Sequence, residues 1–485
     1  MEMRIFVLLG AVLCGGLAVA DGDTAAIERE VLSAERDCER LQAKLKDRCQ
    51  LTDYAAQTVS VNGTNLWARA LQAALREHEI VRIPPRPEPY FLEEAVDLPS
   101  NRRIEAAGAT VALAPGVTTV MLRTAAAQDG TLRPIAPGGR GDNIAIVGGR
   151  WVDNCTERLG FGKTGLFNLQ TRKLGNFYGV SAFFYLGNAN HVTVKDVTFV
   201  RCGAFAVQAG DGDGLVFSRI RFDDCFADGL HLNGNVSRVH AKDVRGKVGD
   251  DLVALNAYDW LNCSINFGPQ RYVLCEDLEL IPKDGKGYPA IRILPAKFRY
   301  ADGSKVDCAV SDVVFRRVRG IRTFKAYLQT AQYDIGTEPE WSEVGSGGNL
   351  IFEDIDIDLT APIDLLGGYA TSDPLRGHYG AFEFGANLTS VTIRNVRIRF
   401  HLDDYPLGHL ATVGPKSACC PAKGGKPARE IFDPYVSCTV DKMTVEGLKV
   451  EGRAPAQQVY PVVFSDINGD GRSTGRGTIK EVVFR

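Results

Sequence analysis

A six-residue pattern with apolar residues at its first, third and sixth positions recurs along the chain and limits the folds open to it. The closing residues of its copies are Val197, Ile220, Val244, Leu278, Ile355 and Val396. The successive intervals between them are 23, 24, 34, 77 and 41 residues. A strand pattern repeated at similar spacing is typical of a solenoid, in which each coil buries apolar side chains against its neighbours. The chain of 485 residues can therefore form one repetitive domain.

The length of the repeat favours three strands per coil and thus a parallel β-helix. A β-sandwich is the competing fold, but hairpin turns join its strands at intervals of about 8–12 residues. The longer intervals after about residue 260 indicate loop insertions, which often build the binding surface of a solenoid. We therefore predict an all-β solenoid with an N-terminal α-helical cap, because an uncovered first coil would expose its edge and core.

Two segments are expected after a leader. Residues 21–55 are predicted as a charged helical segment whose apolar residues recur every three or four positions. Such a stripe is typical of a short oligomerising coil or of a helix that lies against the body, so the chain is a monomer or a small homo-oligomer. Residues 56–485 are predicted as the β-helix domain, which begins with a second amphipathic helix at 65–78.

The leader and the overall charge narrow the location and the partners. Residues 1–20 resemble a signal peptide, with Arg4, an apolar stretch at 5–13 and small residues at 18–20. We therefore expect a secreted or periplasmic protein. A net charge of -3 gives no reason to expect nucleic acid or an anionic membrane as partner. No later stretch approaches the roughly 20 apolar residues of a membrane span.

Cysteine usage fits an exported chain. Of the 12 cysteines, one lies in the predicted leader, and an oxidising compartment makes disulfides an expectation for some of the rest. Cys202 and Cys225 are 23 residues apart and should stack. They are either a disulfide or two small buried residues in an inward ladder, and we favour the ladder.

Three aspartates stand out as candidates for chemistry. Asp228 and Asp251 are also 23 residues apart, and Asp250 precedes Asp251 directly. Residues one coil apart stack at roughly 4.8 Å, so the spacing predicts a patch of three carboxylates. A single Asp-Gly is usually a turn, but the Asp250–Asp251 doublet leads straight into an apolar strand. Close like charges raise at least one pKa, as acid/base cleavage of a glycosidic bond requires.

The motifs around these aspartates resemble those of the polygalacturonase-type glycoside hydrolases, family 28. Those motifs are matched by Ala227-Asp228-Gly229, Gly249-Asp250-Asp251 and, in part, Arg292-Ile293-Leu294. The resemblance implies an exported right-handed parallel β-helix that cleaves glycosidic bonds with inversion and without a cofactor or metal. It also implies that Asp250 is the general acid and that Asp228 and Asp251 hold the attacking water as base.

The sequence departs from that family at two motifs. No Gly-His-Gly lies between Asp251 and Arg292, and Leu294 replaces the lysine of the family's Arg-Ile-Lys. Both differences argue against cleavage of polygalacturonate itself. A neutral or singly acidic sugar is at least as compatible with these residues as polygalacturonate is. The sequence leaves open the identity of the sugar, the linkage and the choice between endo and exo action.

Further residues are candidates for substrate binding. They are His231, Asn256, Trp260, Arg292, Lys297, Lys325 and Tyr327. His231 either replaces the missing histidine or lies on the outer surface. Arg292 either binds a sugar group or forms a salt bridge that keeps an aspartate ionised. Aromatic rings such as Trp260 suit the C–H faces of sugars.

Two other functions compete with a hydrolase. A polysaccharide lyase on the same fold needs a calcium cluster and a Lys or Arg base near an acidic sugar. A non-catalytic adhesin or trimeric tailspike would bind glycans only, with the helix at 27–45 joining its subunits. All three have a carbohydrate partner, so the argument for catalysis depends on the aspartates rather than on the fold.

Overall fold

The computed structural model describes twelve stretches of the chain. They are residues 21–125, 139–159, 182–259, 266–281, 290–299, 304–327, 342–359, 379–400, 407–414, 438–452, 460–464 and 477–485. The signal peptide expected at 1–20 lies outside them. Within these stretches, the helices are too short or too polar to cross a membrane.

The described residues form two α-helices, one 3₁₀-helix and 31 strands. The helices are α1 (Asp21–Gln42), the 3₁₀-helix Leu51–Gln57 and α2 (Ala68–Glu77). The first strands are β1 (Arg48–Gln50), β2 (Val59–Val61), β3 (Thr64–Leu66), β4 (Ile80–Arg82), β5 (Tyr90–Leu92), β6 (Val96–Leu98), β7 (Arg102–Glu105), β8 (Thr110–Leu113), β9 (Leu122–Thr124), β10 (Gly141–Val147), β11 (Arg150–Val152), β12 (Ala182–Gly187), β13 (Ala189–Lys195) and β14 (Thr198–Val200). The others are β15 (Phe205–Asp223), β16 (Leu230–Gly246), β17 (Val253–Asn256), β18 (Gln270–Leu280), β19 (Ala290–Ile293), β20 (Ala296–Arg299), β21 (Lys305–Cys308), β22 (Val310–Arg319), β23 (Thr323–Tyr327), β24 (Ser342–Val344), β25 (Ser346–Leu359), β26 (Tyr379–Gly385), β27 (Asn387–Phe400), β28 (Leu407–Val413), β29 (Cys438–Glu451), β30 (Tyr460–Phe464) and β31 (Gly477–Phe484).

Most of these strands coil into a right-handed parallel β-helix, so the predicted fold is confirmed. Three stacks of parallel strands, sheets A, B and C, run along the helix axis. Sheet A starts with β1, β4, β7, β10 and β13. Sheet B starts with β3, β5, β8, β11 and β14. Sheet C contains β6, β9, β12, the first residues of β15 and β16, and then β17, β19, β23, β26, β28 and β30.

The repeated sequence pattern marks the corner between sheets A and B. The residue before each closing apolar residue has a left-handed backbone, as in Asp196 (φ 59°), Asp243 (φ 52°) and Asn395 (φ 54°). Asp and Asn tolerate this conformation better than most residues, which accounts for their recurrence at the position. The closing residues, such as Val197 and Val244, point into the core and are fully buried.

The two α-helices cover different surfaces. In α2, Leu71, Ala74 and Leu75 join the main core and close the first coil, as a cap should. Helix α1 lies along the outside of sheet A, where Ile27 and Val31 pack on a cluster from the later coils. Its apolar stripe is thus covered by its own chain, and oligomerisation through this helix is not supported.

The expected helical segment at 21–55 is shorter than predicted. Helix α1 ends at Gln42, and Arg48–Gln50 already forms β1, which pairs in parallel with β4. The second helix begins at Ala68 rather than at 65, because Thr64–Leu66 forms β3. The β-helix therefore starts before residue 56.

The described cysteines form no disulfide with one another. They are Cys38, Cys49, Cys155, Cys202, Cys225, Cys275, Cys308 and Cys438. Cys202 and Cys225 are fully buried in the main core, as the inward ladder requires. Cys263, Cys419 and Cys420 lie outside the described residues. The expected disulfides therefore have no support in the part of the chain that is described.

Candidate functional site

The three aspartates lie on the turns that lead from sheet B into sheet C. Asp228 precedes β16, and Asp250 and Asp251 precede β17 one coil later. The main chain holds these turns in register, since the Gly229 N–H donates to the Asp251 carbonyl over 3.0 Å. As a result, one carboxylate oxygen from each aspartate lies within 4.8 Å of the other two. The patch predicted from the spacing is present.

The aspartates differ in their exposure. Asp228 and Asp251 are 3% and 2% exposed. The side chain of Asp250 is 15% exposed, which makes it the most accessible of the three. The Asp251 N–H also donates to Asp228 Oδ1 over 3.3 Å. A molecule that approaches from solvent therefore reaches Asp250 first.

Three cations surround the carboxylates. Arg292 Nε donates to Asp251 Oδ2 over 2.6 Å, and Lys325 Nζ lies 3.9 Å from Asp251 Oδ1. These two residues are register neighbours on β19 and β23 of sheet C. Arg158 reaches across from the loop after β11 and donates to Asp250 Oδ2 over 2.7 Å. The positive charge offsets part of the cost of burying three acids together.

These surroundings move the three pKa values in different directions. Burial raises the pKa of Asp251 to about 6, and the charges of Arg292 and Lys325 oppose that rise. Burial also raises the pKa of Asp228, with help from the nearby charge of Asp250. Burial acts in the same sense on Asp250, but Arg158, Arg292 and Lys325 outweigh it and lower the pKa of that carboxyl. Without substrate, Asp251 thus keeps a proton to higher pH than Asp250 does.

His231 is buried beside the acids and does not lie on the outer surface. Its Nδ1 is 2.5 Å from Asp228 Oδ2, and its Nε2 is 2.7 Å from Asp259 Oδ2. The ring of Phe205 stacks on the imidazole at a centroid distance of 3.8 Å and an angle of 6°. Burial alone would lower the pKa of His231, but the two carboxylates raise it to about 9. The two carboxylates thus favour the imidazolium form of the ring at neutral pH.

The remaining candidates are divided by the structure. Asn256 is buried and donates to Asp259 Oδ2 over 3.0 Å, within the same cluster. Lys297 lies on β20, which forms a separate antiparallel sheet with β21 and β24. Trp260 and the side chain of Tyr327 lie outside the described residues. The structure thus joins Asn256, but not Lys297, to the cluster around the acids.

Sequence reasoning missed Asp259, Arg158 and Asn233, each of which bonds within the cluster. Asp259 follows β17 by three residues, and this polar residue at the end of a buried strand was the available signal. Arg158 is 92 residues before its partner Asp250 and lies outside the strand repeat. Nothing in the spacing of the sequence connects that pair.

Two carboxylate oxygens in the cluster have no hydrogen-bond partner among the described residues. They are Asp250 Oδ1 and Asp251 Oδ1, and both are buried. A buried carboxylate oxygen without a donor is costly, so each is suited to receive a hydroxyl or a water from a ligand. Three carboxylates could also hold a divalent cation. However, Arg158, Arg292 and His231 already use one oxygen of each, which fits proton transfer better than the several oxygen ligands of calcium.

Several solved β-helix structures are similar to this chain. Examples are the tailspike protein of E. coli bacteriophage HK620 in complex with a pentasaccharide (TM-score 0.47, 14% identity) and an exopolygalacturonase from Thermotoga maritima (0.44, 12%). The catalytic domain of a GH87 alpha-1,3-glucanase scores 0.41 at 13% identity. The match to the tailspike covers 86% of this chain and 65% of the tailspike. The match to the exopolygalacturonase covers 91% of this chain and 96% of that enzyme, and the match to the glucanase domain covers 85% and 69%. At such identities the likeness says nothing about activity.

The chain spans about 65% of the length of the tailspike structures. Neither a protein-family model nor a curated protein sequence matches it. The case for a function therefore depends on the site itself.

Proposed function

We propose that this protein is a glycoside hydrolase that cleaves a polysaccharide or oligosaccharide by acid/base catalysis with its three aspartates. The observation that carries the proposal is the pair of buried oxygens, Asp250 Oδ1 and Asp251 Oδ1, that accept no hydrogen bond from the described residues. Two adjacent carboxyls can supply the proton donor and the proton acceptor that glycosidic cleavage needs. Without substrate the pKa of Asp250 is lowered and that of Asp251 is raised to about 6, so the proposed acid is then the more ionised of the two.

Each aspartate has a separate role in the proposed reaction. Asp250, the most accessible acid, gives a proton to the glycosidic oxygen as the bond to the anomeric carbon breaks. A water held by Asp228 and Asp251 attacks that carbon and gives its proton to Asp251. A base with a pKa of about 6 is well matched to neutral pH. The assignment keeps the roles that the resemblance to polygalacturonase-type enzymes implies.

The test is a panel of plant and host glycans incubated with the wild-type protein and with Asp250→Asn. We expect new reducing ends with wild type and a loss of at least about 100-fold in the variant. The oxygens are closer than the roughly 6.5–9.5 Å between the carboxyls of most inverting enzymes. The anomer formed first, read by proton NMR, therefore decides between inversion and retention. Equal turnover by the two proteins would refute the role of Asp250.

The same panel separates the two competing functions. A lyase would produce an unsaturated sugar that absorbs in the ultraviolet, and its activity would depend on calcium. An adhesin would bind a glycan with equal affinity in wild type and Asp250→Asn, with no new reducing ends. The proposed site of action is outside the cytoplasm, in keeping with the leader pattern at 1–20.

Without substrate, Arg158 favours the ionised form of Asp250, whereas a general acid must carry a proton. Replacing Arg158 with glutamine removes the cation that most lowers the pKa of Asp250. We expect the basic limb of the kcat/KM profile to move to higher pH, because Asp250 then keeps its proton longer. At neutral pH, kcat/KM should rise about two- to tenfold, as for loss of a partly exposed ion pair.

Arg150→Gln is the matched control, since Arg150 pairs with Asp223 instead of with one of the three acids and is about as exposed as Arg158. The profile of this variant should match that of wild type. A uniform fall in kcat/KM at every pH for Arg158→Gln would instead mean that Arg158 binds the substrate.

A further inference from the structure

Asp259 is the most deeply buried charged group of the cluster, and the proposed reaction does not use it. It lies three residues beyond β17 and is 0% exposed. A single oxygen, Oδ2, lies 2.7 Å from His231 Nε2 and accepts hydrogen bonds from Asn256 Nδ2 at 3.0 Å and Asn233 Nδ2 at 3.2 Å. Several N–H donors converging on one oxygen stabilise a negative charge there. Burying the charged carboxylate of Asp259 costs free energy, which is consistent with a role of this residue in positioning its neighbours.

His231 carries the influence of Asp259 to the reacting group. The imidazole spans the space between Asp259 Oδ2 and Asp228 Oδ2, with one ring nitrogen on each. It is 2% exposed, and the parallel ring of Phe205 fixes its plane. Asn233, which donates to Asp259, is itself fixed because its Oδ1 accepts from Gln208 Nε2 over 2.7 Å. The ring therefore has little freedom to turn away from either carboxylate.

We propose that Asp259 is a positioning residue that acts through His231 to keep Asp228 oriented and negatively charged toward the attacking water. This inference rests on the proposed hydrolase function. With a carboxylate on each ring nitrogen the doubly protonated ring is favoured, so that Nε2–H donates to Asp259 and Nδ1–H donates to Asp228. His231 is then neither a base nor an acid in the reaction. Its charge lowers the cost of an ionised Asp228 next to two other acids.

The charges around His231 are consistent with this role. Those on the surrounding elements are Asp228, Asp250 and Asp251 on the turns before β16 and β17, Asp259 after β17, Arg292 on β19, Lys325 on β23 and Arg158 on the loop after β11. Of these residues, Asp228 and Asp259 lie within hydrogen-bond distance of the ring. The raised pKa of His231, about 9, agrees with an imidazolium between two carboxylates.

The test has two independent readouts on the full-length protein. In the first, histidines are labelled with ¹⁵N, and the ring resonances of His231 are assigned with His231→Gln. We expect wild-type His231 to stay doubly protonated to a pH of about 9. In Asp259→Asn the titration should move to lower pH, because one of the two carboxylates is gone. A His231 that titrates alike in both proteins would overturn the inference.

The second readout is catalysis. Asp259→Asn should lower kcat by about 10–100-fold with KM unchanged, because the substrate does not touch this residue. The effect should disappear in a His231→Gln background, where the connection to Asp228 is already broken. Additive losses in the double variant, or a change in KM alone, would contradict a role through His231.

Two controls keep the outcomes separate. Asp211→Asn removes another buried carboxylate, one that pairs with Arg140 at 2.7 Å and lies outside the cluster. It should leave kcat and the His231 titration unaltered, which excludes a general effect of losing a buried charge. If the wild-type protein cleaves no glycan, the hydrolase proposal fails, while the titration of His231 still decides whether Asp259 governs its protonation.

Discussion

Replacing Asp251 with asparagine is expected to lower kcat by about 10²–10⁴-fold on any glycan that the wild-type protein cleaves. The substitution keeps the size of the side chain and the partner Arg292, but it removes the base that takes the proton of the attacking water. KM should change little, because the Asp251 side chain is only 2% exposed, whereas that of Asp250 is 15% exposed. The measurement is steady-state kinetics, with binding followed separately by calorimetry.

The pH profile of the wild-type protein provides a second test of the same residue. A base with a pKa of about 6 must be ionised to act, so kcat/KM should fall as pH drops below about 6. That acidic limb should be absent from the residual activity of Asp251→Asn. An unchanged limb in the variant would assign it to another group, and full activity would remove Asp251 from the mechanism. Asp211→Asn again serves as the matched buried control.

Replacing Arg292 with glutamine is expected to destabilise the protein by about 3–5 kcal/mol at neutral pH, because it leaves a buried carboxylate without its guanidinium partner. The side chains of Arg292 and Asp251 are 10% and 2% exposed, so solvent screens the pair very little. The free energy of unfolding, measured by urea titration, gives the size of the effect.

The destabilisation should depend on pH. The pKa of Asp251 is already raised in the folded protein, to about 6, so the fold binds its proton more strongly than the unfolded chain does. The contribution of Asp251 to the free energy of unfolding therefore falls as pH rises from its ordinary pKa of 3.8 through its folded value of about 6. Without Arg292 this fall in stability is larger. The difference between wild type and variant should shrink at about pH 4, where Asp251 is protonated in both.

Two outcomes would contradict this account of Arg292. One is a loss of stability that is the same at both pH values. The other is a stable variant with a raised KM, which would mean that Arg292 binds substrate instead of holding Asp251. The exposed pair of Arg150 and Asp223 provides the control, since Arg150→Gln should cost less than about 1 kcal/mol.

The fold was predictable because the corner between sheets A and B leaves a recurring mark in the described coils from residue 196 onward. The left-handed residue and the buried residue after it, as in Asp243 and Val244, recur at the repeat length. The start of the β-helix was not predictable to the residue. Strand β1 has only three residues, Arg48–Gln50, and its pairing with β4 depends on contacts that are distant in sequence. A stripe of apolar residues likewise could not say whether α1 packs on its own chain or on another.

The candidate site was predictable as far as it follows the coil spacing. Asp228 and Asp251 stack because they are one coil apart, and the same holds for Asn233 and Asn256. Arg158 lies outside this rule, since a loop between coils can approach any part of the surface. Its contact with Asp250 follows from tertiary packing that the repeat does not encode.

The main-chain ladder between the two turns also limits how this protein can vary. The separation of the acids is set by backbone hydrogen bonds such as Leu230 N–H to the Leu252 carbonyl, at 3.0 Å, and not by the volumes of core side chains. Core substitutions can therefore accumulate in these coils without moving the carboxylates apart. A single inserted residue within the ladder would turn following side chains to the opposite face. Changes in chain length are thus tolerated only outside this ladder.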